Sequence, residues 1–322
     1  MKPGIFSRVV PAVLILAVLL AVTGCTGTPA RPDITGTTVP AVPVMDITKA
    51  EMKTVPVGDI TIAYKEAGSG EPLILIMGYG GTMDLWDTRL VNQLAQQYRV
   101  IVFDNRGMGQ TTSSDKEYSI RLFANDTAGL MDALGIKKAH VMGWSMGTFV
   151  AQELTLGYPE KVDNLILCAG TPGGKEALPP EARVIASLTN TTGTDRERGE
   201  RLFLVLFPAA WLKENPDPSK YFPQVTETSP PANILRQDAA IQAWNGTYSR
   251  LPAIQQPLLL IAGEQDVIAP PANSLLIAEK VPHSWLVRIR GGGHGLMYQE
   301  PDDVAAPRKD SGLVSRKGGA AD

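Results

Sequence analysis

Ser145 lies in Gly143-Trp144-Ser145-Met146-Gly147, between the apolar run Ala139-His140-Val141-Met142 and the helical run Thr148 to Leu154. A strand that turns into a helix within so few residues holds the serine in a strained backbone conformation, and the flanking glycines leave room for the turn. The turn lifts the hydroxyl out of the sheet. The first turn of the helix then aims free N–H groups at any anion that forms beside the serine. This is a nucleophile elbow, and the chemistry it offers is acyl transfer.

A serine hydroxyl needs a base, and the base needs an orienting acid. His294 lies late in the chain, in Gly291-Gly292-Gly293-His294-Gly295, directly after the apolar run Trp285-Leu286-Val287-Arg288-Ile289. Glycines on both sides suit a loop at a strand end, where an imidazole can swing over the sheet edge. Upstream, Leu258 to Gly263 reads as a buried parallel strand, followed by Glu264-Gln265-Asp266 and then by Pro270-Pro271 opening a helix. Asp266 is the acid by position, with Glu264 the alternative. Along the chain the serine comes first, then the acid, then the histidine. The other two histidines read as structural: His140 sits inside the strand leading to the elbow, and His283 in a surface turn.

These motifs together resemble the α/β-hydrolase family, in its large esterase and lipase group, over roughly residues 53 to 300. Gly78-Tyr79-Gly80-Gly81, after the buried run Leu73 to Met77, resembles the family's oxyanion loop. The resemblance implies that the backbone N–H groups of Tyr79 and Met146 hold the tetrahedral oxyanion, each donor worth about 3 kcal/mol in the transition state. The family usually has a histidine where Met77 stands, a departure that bears on the loop's supporting hydrogen bonds and not on the backbone donors themselves. Asp104-Asn105-Arg106-Gly107-Met108-Gly109 is similar to a structural turn near the family's site, and Asp104 and Arg106 read as scaffold. Its glycines do not have the dinucleotide-binding spacing. Relatives that displace halide or open epoxides carry a carboxylate at the elbow, so serine points to an ordinary acyl-enzyme.

The resemblance implies an α/β fold, a mainly parallel eight-stranded sheet with helices on both faces and an inserted helical cap. The sequence agrees. Strand-like runs recur at 60–64, 73–77, 100–103, 139–143, 163–168, 257–262 and 285–289, with helical patterns between them. The core is expected over 51–171 and 251–305. From 172 to 250 the alternation stops, and Phe203, Leu204, Leu206, Phe207, Trp211, Leu212, Trp244 and Tyr248 sit among prolines and charges. This segment is the expected cap, whose apolar inner face either lines an acyl pocket or packs the cap on the core. A closing amphipathic helix is expected near Asp302, but Pro307 interrupts it, and 306–322 reads as a disordered, atypical tail.

Chain length of 322 residues and a hydrophobic share of 44% suffice for one large core. A formal net charge of -3 leaves no basic surface for nucleic acid. No zinc-type His or Cys spacing and no calcium loop is present, so neither a metal nor a cofactor is expected. At the start, Lys2 and Arg8 precede the apolar stretch Val9 to Val22, and Val22-Thr23-Gly24-Cys25 follows. That pattern reads as a signal peptide over 1–24, and the small residues before Cys25 resemble the bacterial lipoprotein processing box. By that resemblance Cys25 is lipidated and anchors an exported protein to the membrane of the cell envelope, the alternative being plain cleavage to a soluble secreted form. Residues 25–50, rich in Thr, Pro, Gly and Ala, form the expected flexible tether. Cys168 reads as a small buried apolar residue.

Two classes of function follow. The first is a serine hydrolase acting on small-molecule esters, with lactone hydrolysis, cofactor-free perhydrolysis and peptide hydrolysis as variants. The second is a non-catalytic binding protein on the same fold. An aminopeptidase would need cap carboxylates to hold a free amine, for which Glu197, Glu200 and Glu214 are the candidates. The sequence leaves oligomeric state open.

Overall fold

The computed structural model describes residues 46–190, 192–307 and 315–317. The expected signal peptide, Cys25 and most of the expected tether lie outside the described residues. Among those described, no helix is long and apolar enough to cross a membrane.

The sheet is built from β1 (Lys53–Val57), β2 (Ile60–Ala67), β3 (Glu71–Ile76), β4 (Tyr98–Phe103), β5 (Ala139–Trp144), β6 (Val162–Cys168), β7 (Leu258–Gly263), β8 (Ser284–Ile289) and β9 (Ser315–Lys317). Its order is β1-β2-β4-β3-β5-β6-β7-β8-β9. From β4 to β8 all neighbours are parallel, whereas β1, β2 and β9 join antiparallel at the two ends. Eight strands match the expectation. The ninth lies in the stretch expected to be disordered, where Ser315–Lys317 pair with Ser284–Leu286 and close what would otherwise be the open edge of β8.

The parallel strands are apolar throughout because both faces are covered, and their period of two divides the side chains between two cores. Ile74, Ile76, Ile101 and Phe103 point to one side, with Phe123, Leu130, Val150 and Leu154. These last belong to α2 (Ile120–Ala133) and α3 (Met146–Gly157). Leu73, Leu75, Val100 and Val102 point to the other, with Leu90, Val91, Tyr298 and Val304 from α1 (Thr88–Leu94) and the helices near the C-terminus. Each such side chain contributes about 1.5–3 kcal/mol by leaving water.

The domain begins earlier than expected. Asp46 caps a short 3₁₀ turn over Ile47–Lys49, Ile47 is buried in the second core, and its N–H donates to Asn92 Oδ1 at 2.9 Å. A single large apolar side chain thus draws residues 46–50 out of the tether and onto the domain.

Between β6 and β7 four helices form the cap: α4 (Ala182–Thr189), α5 (Asp195–Leu206), α6 (Ala209–Glu214) and α7 (Pro231–Gln242). Then come α8 (Ala272–Lys280), opened by Pro271 as the sequence implies, and α9 (Leu296–Gln299) and α10 (Pro301–Ala305). The last helix ends ahead of Pro307 after barely more than one turn. Beside it a groove of about 280 Å³ opens onto Tyr98, Met142, Leu259 and Trp285, where the cover of the sheet stops.

The scaffold reading of Arg106 holds. Its guanidinium is 1% exposed and holds Asp126 through Nε at 2.8 Å and Nη2 at 2.6 Å, and Asp59 through Nη1 and Nη2 at 3.0 Å each. His140 is likewise structural, its ring in contact with Glu71 Oε2 at 3.1 Å and Asn164 Nδ2 at 2.8 Å. His283 is exposed, outside any strand. Cys168 is buried, which pushes its thiol far above the ordinary range.

Candidate active site

Ser145 stands between β5 and α3 with φ 55° and ψ -124°, one of two non-glycine residues at positive φ among those described. Such a conformation costs on the order of 1–3 kcal/mol and persists only where the surroundings enforce it. Here they do. Ser145 N–H donates to Cys168 O of β6 at 3.0 Å, and Thr148 N–H returns to Ser145 O at 2.9 Å. A Cβ on Gly143 would stand 2.3 Å from Gly147 O, and one on Gly147 would stand 2.0 Å from Ile76 O, so the elbow admits no side chain at either position.

His294, on the loop after β8, brings Nε2 to 2.9 Å from Ser145 Oγ. Its Nδ1 lies 2.9 Å from Asp266 Oδ2, on the loop after β7. The other Asp266 oxygen accepts the N–H groups of Ile268 and Ala269, both at 2.8 Å. A carboxylate so held can only accept, which fixes the imidazole proton on Nδ1 and leaves Nε2 free to take the serine proton. Asp266 and His294 are buried. Glu264, the alternative acid, instead pairs with Arg288 at 3.2 Å. The three residues chosen from sequence therefore meet in one hydrogen-bonded chain.

The imidazole is fixed from outside as well. Trp144 Nε1 donates to His294 O at 3.1 Å, and the Trp144 ring lies 5.3 Å from the His294 ring. Gly295 N–H donates to Leu206 O of the cap at 2.9 Å, and Gly293 N–H to Gln299 Oε1 at 2.8 Å.

The loop Gly78 to Gly81 passes close over the serine, since a Cβ on Gly78 would stand 3.0 Å from Ser145 Cβ. Among the described residues no protein group accepts the N–H of Tyr79 or that of Met146, the first residue of α3. Both are therefore able to donate to a ligand. The support that Met77 cannot supply comes from the cap: Gly80 N–H donates to Gln237 Oε1 at 2.8 Å, and Ser229 Oγ donates to Gly80 O at 2.6 Å. Asn105 Nδ2 adds a bond to Met77 O at 3.1 Å. Gln237 and Ser229 were not legible as site residues. They are polar residues in a polar, proline-rich stretch, about 150 positions from the loop they hold.

A second strut joins the cap to the core beside that loop. Thr226 Oγ1 donates to Asp84 Oδ2 at 2.6 Å, and Asp84 also meets Lys65 Nζ at 3.0 Å. Next to Thr226, Glu227 is 8% exposed, and both its carboxyl oxygens are buried with no donor facing them, only the Asp104 carboxyl, to which a protonated Glu227 can donate. Burial, and then the facing charges of Asp104 and Asp84, push this carboxyl up to about 8. Asp104 meanwhile accepts the N–H groups of Met83 at 2.7 Å and Gln110 at 3.0 Å.

Above Ser145 and His294 lies a cavity of about 430 Å³. Its wall is chiefly apolar, with Leu178, Ile185 and Leu202 at the exposed rim and Phe149, Ile241 and Trp244 deeper in the structure. Among the described residues no group of His, Cys, Asp and Glu is placed to hold a metal ion.

The sequence profile described as the alpha/beta hydrolase fold matches residues 71–301. A protein of Azorhizobium caulinodans provisionally named carbamate hydrolase RutD is 30% identical over 76% of this chain and 92% of its own length. One of Mycobacterium tuberculosis, provisionally named non-heme bromoperoxidase BpoC, is 32% identical over 76% and 95%. In three dimensions the chain is similar to a thermophilic esterase from Thermogutta terrifontis, with a TM-score of 0.68 and 24% identity over 81% of this chain and 97% of that one.

Two outcomes are expected of the struts. Gln237→Leu, which removes the acceptor for Gly80 N–H, lowers the rate at which a phosphonate probe reacts with Ser145 by about tenfold, the typical scale of one displaced hydrogen bond, about 1.4 kcal/mol. An unchanged rate in folded protein would show that the loop stands without the cap. For Glu227, the folded chain binds one more proton than the unfolded chain between pH 4.5 and about 8. Stability therefore falls as pH rises through that window and levels off above it. Thermal melts are expected to show this slope, and Glu227→Gln to flatten it; an identical slope in the variant would remove Glu227 as its source.

Proposed function

The chain belongs to the alpha/beta hydrolase fold family, and from that membership we propose that it is a serine hydrolase cleaving carboxylic esters through an acyl-enzyme intermediate. In this reading Ser145 is the nucleophile, His294 the general base and then acid, and Asp266 the residue that orients it. The observation that carries the proposal is the unbroken chain of 2.9 Å contacts from Ser145 through His294 to Asp266 at the floor of an apolar cavity.

Ser145 Oγ attacks the ester carbonyl as its proton passes to His294 Nε2. The Nδ1 proton stays on the imidazolium, stabilised by Asp266. The carbonyl oxygen becomes an anion between the N–H groups of Tyr79 and Met146, which gain strength because they point at charge present only in the transition state. Nε2 returns the proton to the departing alkoxide. Water then repeats the sequence on the acyl-enzyme and frees the acid and Ser145. An apolar cavity of this size accommodates a short to medium acyl group.

A fluorophosphonate probe is expected to label the protein at Ser145, and Ser145→Ala to abolish both the label and the hydrolysis of p-nitrophenyl esters. Well-folded protein that neither takes the label nor cleaves esters would favour a binding protein on this fold.

The membrane anchor is part of the same proposal and stands on the small residues before Cys25. Cells fed an alkynyl fatty acid are expected to incorporate it into the protein and not into Cys25→Ser; equal incorporation in both would overturn the anchor at that residue.

A further inference from the structure

The cavity over Ser145 carries one carboxylate. Among the described residues Asp238, on α7, is the only acidic side chain on its wall, and no lysine or arginine lines it. Asp238 is half-buried; Gln242 Nε2 donates to its Oδ2 at 2.5 Å, and no cation of the described residues pairs with it. The cap carboxylates that the sequence offered for holding an amine are spent elsewhere. Glu197 closes the capping box of α5 with Thr194, and Glu200 faces Arg196 at 3.1 Å. Neither they nor Glu214 reach the cavity. Of the wall's other polar groups some are committed: Asn273 holds Leu178 through both ends of its amide at 2.8 and 2.9 Å.

We infer that this cavity selects its substrate by charge, taking acyl groups that end in a cation such as a primary ammonium and turning away acyl groups that end in an anion. The inference rests on the esterase reading of the site and names its substrate class. A single negative charge in an apolar enclosure is screened less than one on open surface. An incoming carboxylate would lose its water and meet repulsion with no lysine or arginine among the described residues to offset either. An ammonium meets a carboxylate with an oxygen to spare. The charge acts close to the reacting groups, because its field reaches the Tyr79 phenol, which burial first and Asp238 second hold above its ordinary range.

The test uses three p-nitrophenyl esters of matched length: the 6-aminohexanoate, the hexanoate and the monoadipate. The intact protein is expected to show kcat/KM at least tenfold higher for the cationic than for the anionic ester, with Asp238→Asn bringing the ratio near one and Asp238→Glu keeping it. A ratio near one in the intact protein, or one that Asp238→Asn leaves unaltered, overturns the inference. Thermal shifts with hexylammonium and hexanoate read the same preference without turnover. Stabilisation by the ammonium alone, lost in Asp238→Asn, supports the charge selection even if no ester is cleaved, an outcome that would sink the esterase reading and leave this one standing. Equal shifts with both ions would sink the selection.

Discussion

The geometry of the site depends on one unfavourable backbone conformation. At φ 55° Ser145 cannot relax, because Gly143 and Gly147 press against each other and against β3 on one side while Cys168 O holds the serine N–H on the other. The strain is carried by β5, buried along its whole length, and by α3, most of whose residues are buried. In return the hydroxyl projects clear of the strand, and the first N–H of α3 faces the same point. Any residue that needed a relaxed conformation here would lower the hydroxyl into the sheet and lose both arrangements at once.

The remaining parts converge by topology. Parallel strands end at one edge of the sheet, so the loops after β3, β5, β7 and β8 lie side by side although they span more than two hundred residues of sequence. Three of them supply the hydrogen-bonded chain, and the fourth supplies the loop above it. What topology does not supply is rigidity of that fourth loop. Gln237 and Ser229 provide it from the cap, in place of a side chain at position 77 that could form such bonds.

How much of this was legible in the sequence follows from how local each signal is. The elbow, the strand before it and the helix after it are contiguous, so Ser145 could be read directly. His294 and Asp266 were found because each follows a continuous apolar run, the mark of a strand buried on both faces. β1 carries no such mark: it is exposed for most of its length and holds a proline, Pro56. β9 has none either, since Ser315-Arg316-Lys317 is polar and exists as a strand only through the backbone of β8. The bonds of Gln237 and Ser229, and the place of Asp238 on the cavity wall, depend on how the cap folds back over the core. No local pattern encodes that.

The cap touches both halves of the reaction centre, Gly80 through Gln237 and the histidine loop through Leu206 O. It is therefore no interchangeable lid. A chimaera carrying another relative's cap would inherit a new cavity wall and, with it, a different alignment of the groups beneath. Specificity and turnover in this chain are inherited together, and exchange of one without the other requires keeping those two contacts intact.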